Sequence, residues 1–254
     1  MNTPIHAMKW LEARLAPALW WSIASVAALL VLWQAVSGLG LVDARLLPSP
    51  LAIFAHLGEQ LGERSFQFHI GQTLIRLLCG FAIALVIGVA LGVVMALGGE
   101  AWLMPLVRLL APIPKIAIYP ALVLLLGFGH ASKIGLVVAD AVFPLILATF
   151  HGVRAVQPKL LWSAQAAGAG KIAQVLTVLL PSAWGSILTG CRIALVIACI
   201  NVFLAEMISS TDGLGHLMIV AARSYQVVDM FVPLVLISLI GLALSRGIGF
   251  FRIG

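Results

Sequence analysis

Six charged side chains, Arg76, Arg108, Lys115, Asp140, Arg192 and Glu206, fall within or at the edges of otherwise apolar stretches. An ion near a bilayer centre costs about 2.5–3.5 kcal/mol on insertion scales, so each is expected to face a cavity, meet a partner or snorkel to an interface. Arg108 and Lys115 share a face of a stretch broken by Pro105, Pro112, Pro114 and Pro120. That break either bares backbone groups to a cavity, a recurring device at transport sites, or is a simple kink with both cations snorkelling inward. Asp140 either pairs with one of these cations, the favoured alternative, or lines a pathway. Asn201 either faces such a pathway or hydrogen-bonds a neighbouring helix. Arg192 and Glu206 are fourteen residues apart, on one helix face but about 21 Å apart along the axis, too far to pair.

Catalytic constellations are missing from the pattern. There is no GxxxxGK[ST] phosphate loop, so ATP hydrolysis by this chain alone is not expected. No Ser/His/Asp set, paired catalytic carboxylates or zinc motif is found, and the six histidines are scattered, so neither a metal nor a cofactor is expected on the chain. Cys79, Cys191 and Cys199 sit inside apolar stretches and read as core.

The elements that position these residues follow from composition. Of 254 residues 62% are apolar and 9% charged, against about 45–50% and about 25% in a soluble globule. So few charges cannot cover a water-exposed surface, which excludes a soluble enzyme and a nucleic-acid-binding domain. The excess of 15 basic over 9 acidic residues then points to basic cytoplasmic loops. A crossing helix needs about 20 apolar residues. Spans are expected at about 20–38, 70–97, 102–128, 133–150, 182–208 and 230–250, with a charged segment at 41–69 lying in the outer interface. The fold class is an all-α membrane protein of six transmembrane helices. Residues 1–69 form the tail, first span and outer segment, and residues 70–254 a five-helix core. The N-terminus lacks the pattern of a cleaved signal peptide. Lys9, Arg14, Arg154, Lys159, Lys171, Arg246 and Arg252 on one side, against Arg45, Arg64, Lys133 and Arg223 on the other, place both termini inside. Trp10, Trp20, Trp21, Trp102, Trp162 and Trp184 then fall near the inner interface.

Between the fourth and fifth spans lies a connection of about thirty residues, 151–181, with helix formers around a Gly168-Ala169-Gly170 break. Composition alone reads it as an interfacial helix. Its spacing resembles the coupling loop of permease subunits of binding-protein-dependent ABC importers, where a Glu-Ala-Ala start is followed by Gly and, thirteen residues later, by Leu-Pro. Gly168 and Leu180-Pro181 keep that spacing, and Ala164 and Ala169 fit. Trp162 and Ser163 stand where the family has Glu and the first Ala, so the acidic start is missing. LLPSP (46–50), TLIRLLCGFAIALVIGVALG (73–92), APIPKIAIYPALVLLLGFG (111–129) and AEMISSTDGLGHLM (205–218) extend the similarity towards the taurine, aliphatic-sulfonate and nitrate branch.

The resemblance implies a type I ABC importer permease fold with a cytoplasmic coupling helix. Trp162, Ser163, Ala164, Gln165, Ala167, Gly168, Ala169, Gly170 and Pro181 would form the ATPase-coupling loop, with Pro181 opening the fifth helix. Glu206 matches the family's acid before the Gly-Leu-Gly segment, leaving gate and scaffold roles open. Implied partners are two ATPase subunits carrying ATP and Mg, a second permease copy and a periplasmic or lipid-anchored binding protein, with no nucleic acid. A small anion such as a sulfonate or nitrate is the expected cargo. A thiamine precursor or aromatic acid is the alternative within the family, and a secondary transporter or a non-transporting scaffold the rivals outside it.

Overall fold

The computed structural model describes the backbone of residues 4–43 and 45–250, and side chains from Trp20 onward apart from Ser22. The expected roles of Lys9, Trp10, Arg14 and Arg252 fall outside the described side chains. Eleven α-helices and no strand are present among the described residues. The first expected span lies in α1 (Pro4–Gly38) and the second in α3 (Arg64–Val94); the fourth is α6 (His130–Arg154), the fifth α9 (Leu180–Ser209) and the sixth α11 (Val227–Phe250). Four helical runs among the described residues are long and apolar enough to cross a membrane: Arg64–Leu110, His130–Arg154, Lys171–Ser209 and Val227–Phe250.

The third expected span is two half-helices, α4 (Glu100–Leu110) and α5 (Tyr119–Leu126), joined through a 3-10 turn at Lys115–Ile118. Pro112 and Pro114 cannot continue α4, because they lack an N–H and their rings crowd the preceding turn. Lys115 then donates to the freed carbonyls of Leu110 and Ala111 at 2.8 and 2.7 Å. Before α4 the chain turns through Met95–Gly99, where Gly98 has φ 132°, a conformation that suits glycine. Met95, Val107, Ile146 and Phe150 form the small core of this turn.

The centre of the bundle is α3, α6 and α9. Gly80, Ala84, Gly88 and Gly92 recur every four residues along α3, in register with Val137, Ala141, Leu145 and Thr149 of α6. A Cβ on Gly80 would stand 2.6 Å from Val137 Cγ1, and one on Gly92 2.6 Å from Thr149 Cβ. The backbones therefore approach more closely than any side chain would allow. Within a bilayer, where lipid is as apolar as leucine, such close contact supplies the packing energy that water would otherwise drive.

Pro181 is the second residue of α9, but helix does not begin there. The helical run starts at Lys171 with α8 (Lys171–Gln174), widens through a π-turn at Val175–Leu179 and continues into α9. The widened turn accommodates the proline ring and its missing donor, which an unbroken α-helix would not. One run of 39 residues thus extends from the 151–181 connection to Ser209.

The charged 41–69 segment folds as α2 (Pro50–Gln60) and leads into α3. Ser49 caps α2 by accepting from Ala52 N at 3.2 Å, and Ile53 and Leu57 are buried. His56 is held between Glu59, at 3.1 Å, and Asp229 on α11, at 2.6 Å; Gln60 also donates to Asp229, at 2.9 Å. Hydrogen bonds to Glu59 and then to Asp229 raise the His56 pKa above the usual imidazole value. A raised folded-state pKa means that the contact is at full strength below about pH 6.5 and is lost as pH rises through the folded value. Amide exchange of α2, corrected for intrinsic rates, should therefore quicken as pH rises above about 6.5 and His56 loses its proton. His56→Gln should remove that pH dependence; an unchanged profile would show that the α2–α11 contact does not rest on the imidazolium.

Candidate functional site

Three sets of polar groups stand out, beginning at the end of the bundle farthest from the 151–181 connection. Thr73 and Arg76 share one face of α3, and both are buried. Glu206, in the last turn of α9, is fully buried and accepts from Arg76 Nη1 at 2.7 Å, from Thr73 Oγ1 at 2.9 Å and from the Gly215 N–H at 3.1 Å. The last of these donors belongs to the N-terminus of α10 (Leu214–Arg223), where a carboxylate also meets the positive end of the helix dipole. Arg76 further donates to His130 Nδ1 at 3.2 Å, to the Asp212 carbonyl at 3.1 Å and, through Nη2, to the Asp212 carboxylate. Burial pushes the Asp212 carboxyl up, but the hydrogen bond and charge of Arg76 outweigh that and hold its pKa below the ordinary value.

Lys133, expected as a loop charge, is instead buried in the first turn of α6, with Nζ 2.6 Å from the Phe128 carbonyl, 3.1 Å from that of Gly129 and 3.3 Å from that of Ser209. It satisfies two carbonyls of the connection between α5 and α6 and the last carbonyl of α9, which no intrahelical donor reaches. The Tyr119 hydroxyl meets Ser209 Oγ at 2.7 Å beside it. Thr73, His130, Asp212 and Lys133 were not identified as site residues. The only signal for them in the sequence is the three-residue spacing of Thr73 and Arg76, which puts both on one helix face.

The second set lies in mid-span. Lys115 Nζ is 3.6 Å from Asp140 Oδ1, Asn201 Nδ2 donates to Asp140 Oδ2 at 2.8 Å, and the Lys115 ammonium lies 4.5 Å from the centroid of the Phe143 ring. The break after α4, α6 and α9 are thereby tied by one carboxylate. Asp140 pairs with Lys115, and Asn201 bonds a neighbouring helix. Arg108 is not brought to this set: it is exposed and lines an open cavity of about 540 Å³ beside the Glu100–Arg154 pair, which spans 3.4 Å. Arg192 is half-buried against Gly249 of α11, its Nε buried without a hydrogen-bond partner among the described residues.

The third set is the 151–181 connection. Pro158 starts α7 (Pro158–Ala166), which buries none of its side chains; Trp162 is 64% exposed, while Ser163, Gln165, Ala167, Gly168 and Gly170 are exposed and Ala164 and Ala169 half-buried. Gly168 has φ +81°, its N–H bonds the Gln165 carbonyl at 2.9 Å, and the Ala169 N–H bonds the Ala164 carbonyl at 2.9 Å. This pair of bonds closes a helix with a left-handed residue after its cap. Nothing lies within 4 Å of where a Gly168 Cβ would stand, so the constraint there is backbone conformation rather than bulk. Gln174 Nε2 donates to the Ala169 carbonyl at 2.7 Å and fixes the turn into α8.

Comparison with known proteins agrees with this architecture. The family model for the binding-protein-dependent transport system inner membrane component matches residues 84–249. The taurine transport system permease protein TauC of Escherichia coli (strain K12) is 30% identical over 258 residues, covering 98% of this chain and 93% of that protein. SsuC of Bacillus subtilis (strain 168), a permease named for aliphatic sulfonates transport, is 29% identical over 234 residues, covering 91% of this chain and 82% of its own length. A chain of the MetNI methionine ABC transporter in an inward-facing conformation shares the fold, with a TM-score of 0.56 at 20% identity over 70% of this chain and 93% of that one.

Because Glu206 has no water to fall back on, removing its counter-charge should be costly. Arg76→Gln is expected to lower stability by about 3–5 kcal/mol, the range for breaking a buried ion pair from one side. The double variant with Glu206→Gln should cost less than the sum of the two single changes, because neither then leaves a bare buried charge. Thermal unfolding in detergent of the four proteins measures this, and strictly additive effects would rule out the pairing as the source of stability.

Proposed function

The chain belongs to the family of binding-protein-dependent transport system inner membrane components, and we propose that it forms the translocation pathway for a small anion of the sulfonate class, coupled to ATPase subunits through α7 and α8. It is the membrane-spanning permease of an ABC importer. The observation that carries the coupling role is α7 itself, a capped helix that has no fully buried side chain, rests on the bundle through half-buried Leu161, and adjoins a helical run reaching the distal ion cluster. A lever transmits free energy between two sites only if it is stiff and both ends bias the same equilibrium. The Gly168 cap and the continuous α8–α9 run supply the stiffness.

In this reading two copies of the permease flank the pathway, two ATPases carry ATP and Mg, and a binding protein delivers the solute on the other side. The chain itself binds no cofactor and hydrolyses nothing. Both termini and the 151–181 connection lie in the cytoplasm, with α10 outside. The taurine and sulfonate names of the relatives support the anion assignment. Identifying the ligand that co-purifies with the binding protein of the native complex tests it, and a ligand without a sulfonate or other anionic group would exclude it.

Orientation is checked by single cysteines placed at Ser163 and Ser224, both exposed, in a background lacking Cys79, Cys191 and Cys199. A membrane-impermeant reagent on intact cells should label position 224 and spare 163; the reverse pattern would invert the topology.

Coupling is checked at Gly168. A β-branched residue in the left-handed region costs at least the roughly 1–2 kcal/mol of an ordinary side chain, whereas Asn tolerates it. Gly168→Val should leave insertion intact but lower substrate-stimulated ATP hydrolysis and uptake together, and Gly168→Asn should retain most of both. Equal activity in the two variants would remove the cap from the mechanism.

A further inference from the structure

The reading of α7 and α8 as the ATPase-docking element says nothing of what the ATPase presents there, and the loop's charges supply that. From residue 141 to residue 205 the chain contains no Asp or Glu, while Arg154, Lys159, Lys171 and Arg192 fall in the same stretch. Arg154 is paired with Glu100. Lys159 and Lys171 are exposed and take part in no ion pair among the described residues. Lys159 and Trp162 are three residues apart on α7 and share a face, continued by Ser163 and Ala166. That face holds one large apolar side chain beside a cation, with small residues after it, and lacks the continuous apolar stripe with which an interfacial helix sinks into lipid.

An exposed indole offers a rigid apolar surface with one donor, the kind of side chain that anchors an interface when it enters a desolvated pocket. Cations at the edge of such a pocket steer association and reject a partner of like charge. Resting on the coupling role assigned above, we propose that the ATPase receives α7 and α8 in an apolar pocket for Trp162, rimmed by carboxylates that face Lys159 and Lys171. A basic socket, of the kind an acidic start to the loop would call for, is repelled by this one.

The test measures binding of the purified ATPase that supports transport by this permease to the full-length permease in zwitterionic nanodiscs, at low and high salt. Trp162→Ala should weaken binding about thirtyfold, as for a central interface anchor. Lys159→Glu with Lys171→Glu should weaken it about tenfold at low salt, with the difference shrinking as salt rises, and the Lys→Arg pair should bind as the parent does. Because Lys159, Trp162 and Lys171 are all exposed, these variants leave the bundle packing untouched. Tighter binding by the Lys→Glu pair, or binding indifferent to both charge and salt, would overturn the carboxylate rim. Full binding by Trp162→Ala would overturn the pocket. Unchanged ATPase binding combined with lost affinity for vesicles containing anionic phosphatidylglycerol would assign the face to lipid and overturn the proposal. Failure of the parent permease to bind the ATPase at all would instead sink the coupling role itself, a result that none of the other outcomes resembles.

Discussion

A carboxylate carried into an apolar interior needs a counter-charge and donors for its remaining lone pairs, and Glu206 has both. Arg76 supplies the charge from α3, Thr73 a hydroxyl from the same face, and Gly215 a backbone N–H from the start of α10. Three helices therefore meet at one group, and the α9–α10 turn is drawn in by the same guanidinium through Asp212. The turn leaves no room for a Cβ at Gly213, which the Glu206 carboxylate would meet, or at Gly215, which lies against the Phe203 carbonyl and the α9 backbone. Buried ion pairs are poor sources of net stability against apolar replacements of the same shape, but they forbid alternatives, since any other register of α3 on α9 strands a charge. In a bundle held mainly by small-residue contacts, that restriction fixes where α9 ends.

The position of that end matters because α9 is the upper part of a longer rod. From Lys171 to Ser209 the run of 39 residues extends about 58 Å at 1.5 Å per residue, more than a bilayer's hydrocarbon thickness. Its lower end carries the turn that Gly168 and Gln174 rigidify, while its upper quarter carries Asn201, bonded to Asp140, and, five residues on, Glu206. The π-turn before Pro181 is the one irregularity in the rod, and it lies below the level at which α9 packs against α6 through Gly190. A tilt imposed at α7 thus enters a helix fixed first by its close packing on α6 from Ala183 to Gly190, then by the Asp140 triad and the distal cluster. The proposed coupling needs no long chain of loosely related contacts, only one helix seated at three heights.

Much of this was legible in the sequence because bilayer physics writes strong patterns. Apolar runs located α3, α6, α9 and α11, the prolines located the break between α4 and α5, and the cost of an isolated charge indicated that Asp140 would take a cation, found as Lys115. The spacing around Gly168 marked the loop, but residue type alone does not show that this glycine closes α7 in a left-handed conformation with open space around it. Hydropathy failed where burial and depth part company. Lys133 reads as a loop charge because lysine is costly in lipid, yet here it is buried among carbonyls at helix ends, groups that no composition scale represents. Pro181 reads as a helix start because its ring usually forbids anything else, and a π-turn that widens the preceding helix leaves no mark in residue type. The partners of Arg76 were illegible for a simpler reason: they come from residues 54 to 136 positions away in the chain, and pairing across that distance is a product of the fold.

The pairings also redistribute charge along the pathway proposed for the anion. Among the span cations, Arg76 is neutralised by Glu206 and Asp212, Lys115 by Asp140, and Lys133 is surrounded by carbonyl oxygens. Of the cations singled out in the sequence, Arg108 and Arg192 remain without an ion-pair partner among the described residues, one exposed on α4 and one half-buried on α9. A low-dielectric wall lets a fixed cation act over a longer distance than water would, and two unneutralised guanidinium groups set a positive potential that favours an anion over a cation of equal size. Their positions argue for attraction without tight capture. Arg108 opens onto the cavity that already contains the Glu100–Arg154 pair, where nearby charge of both signs limits how strongly an anion is held. A pathway must release what it admits, and the carboxylates that tie the helices together also keep most of the membrane cations from becoming binding sites.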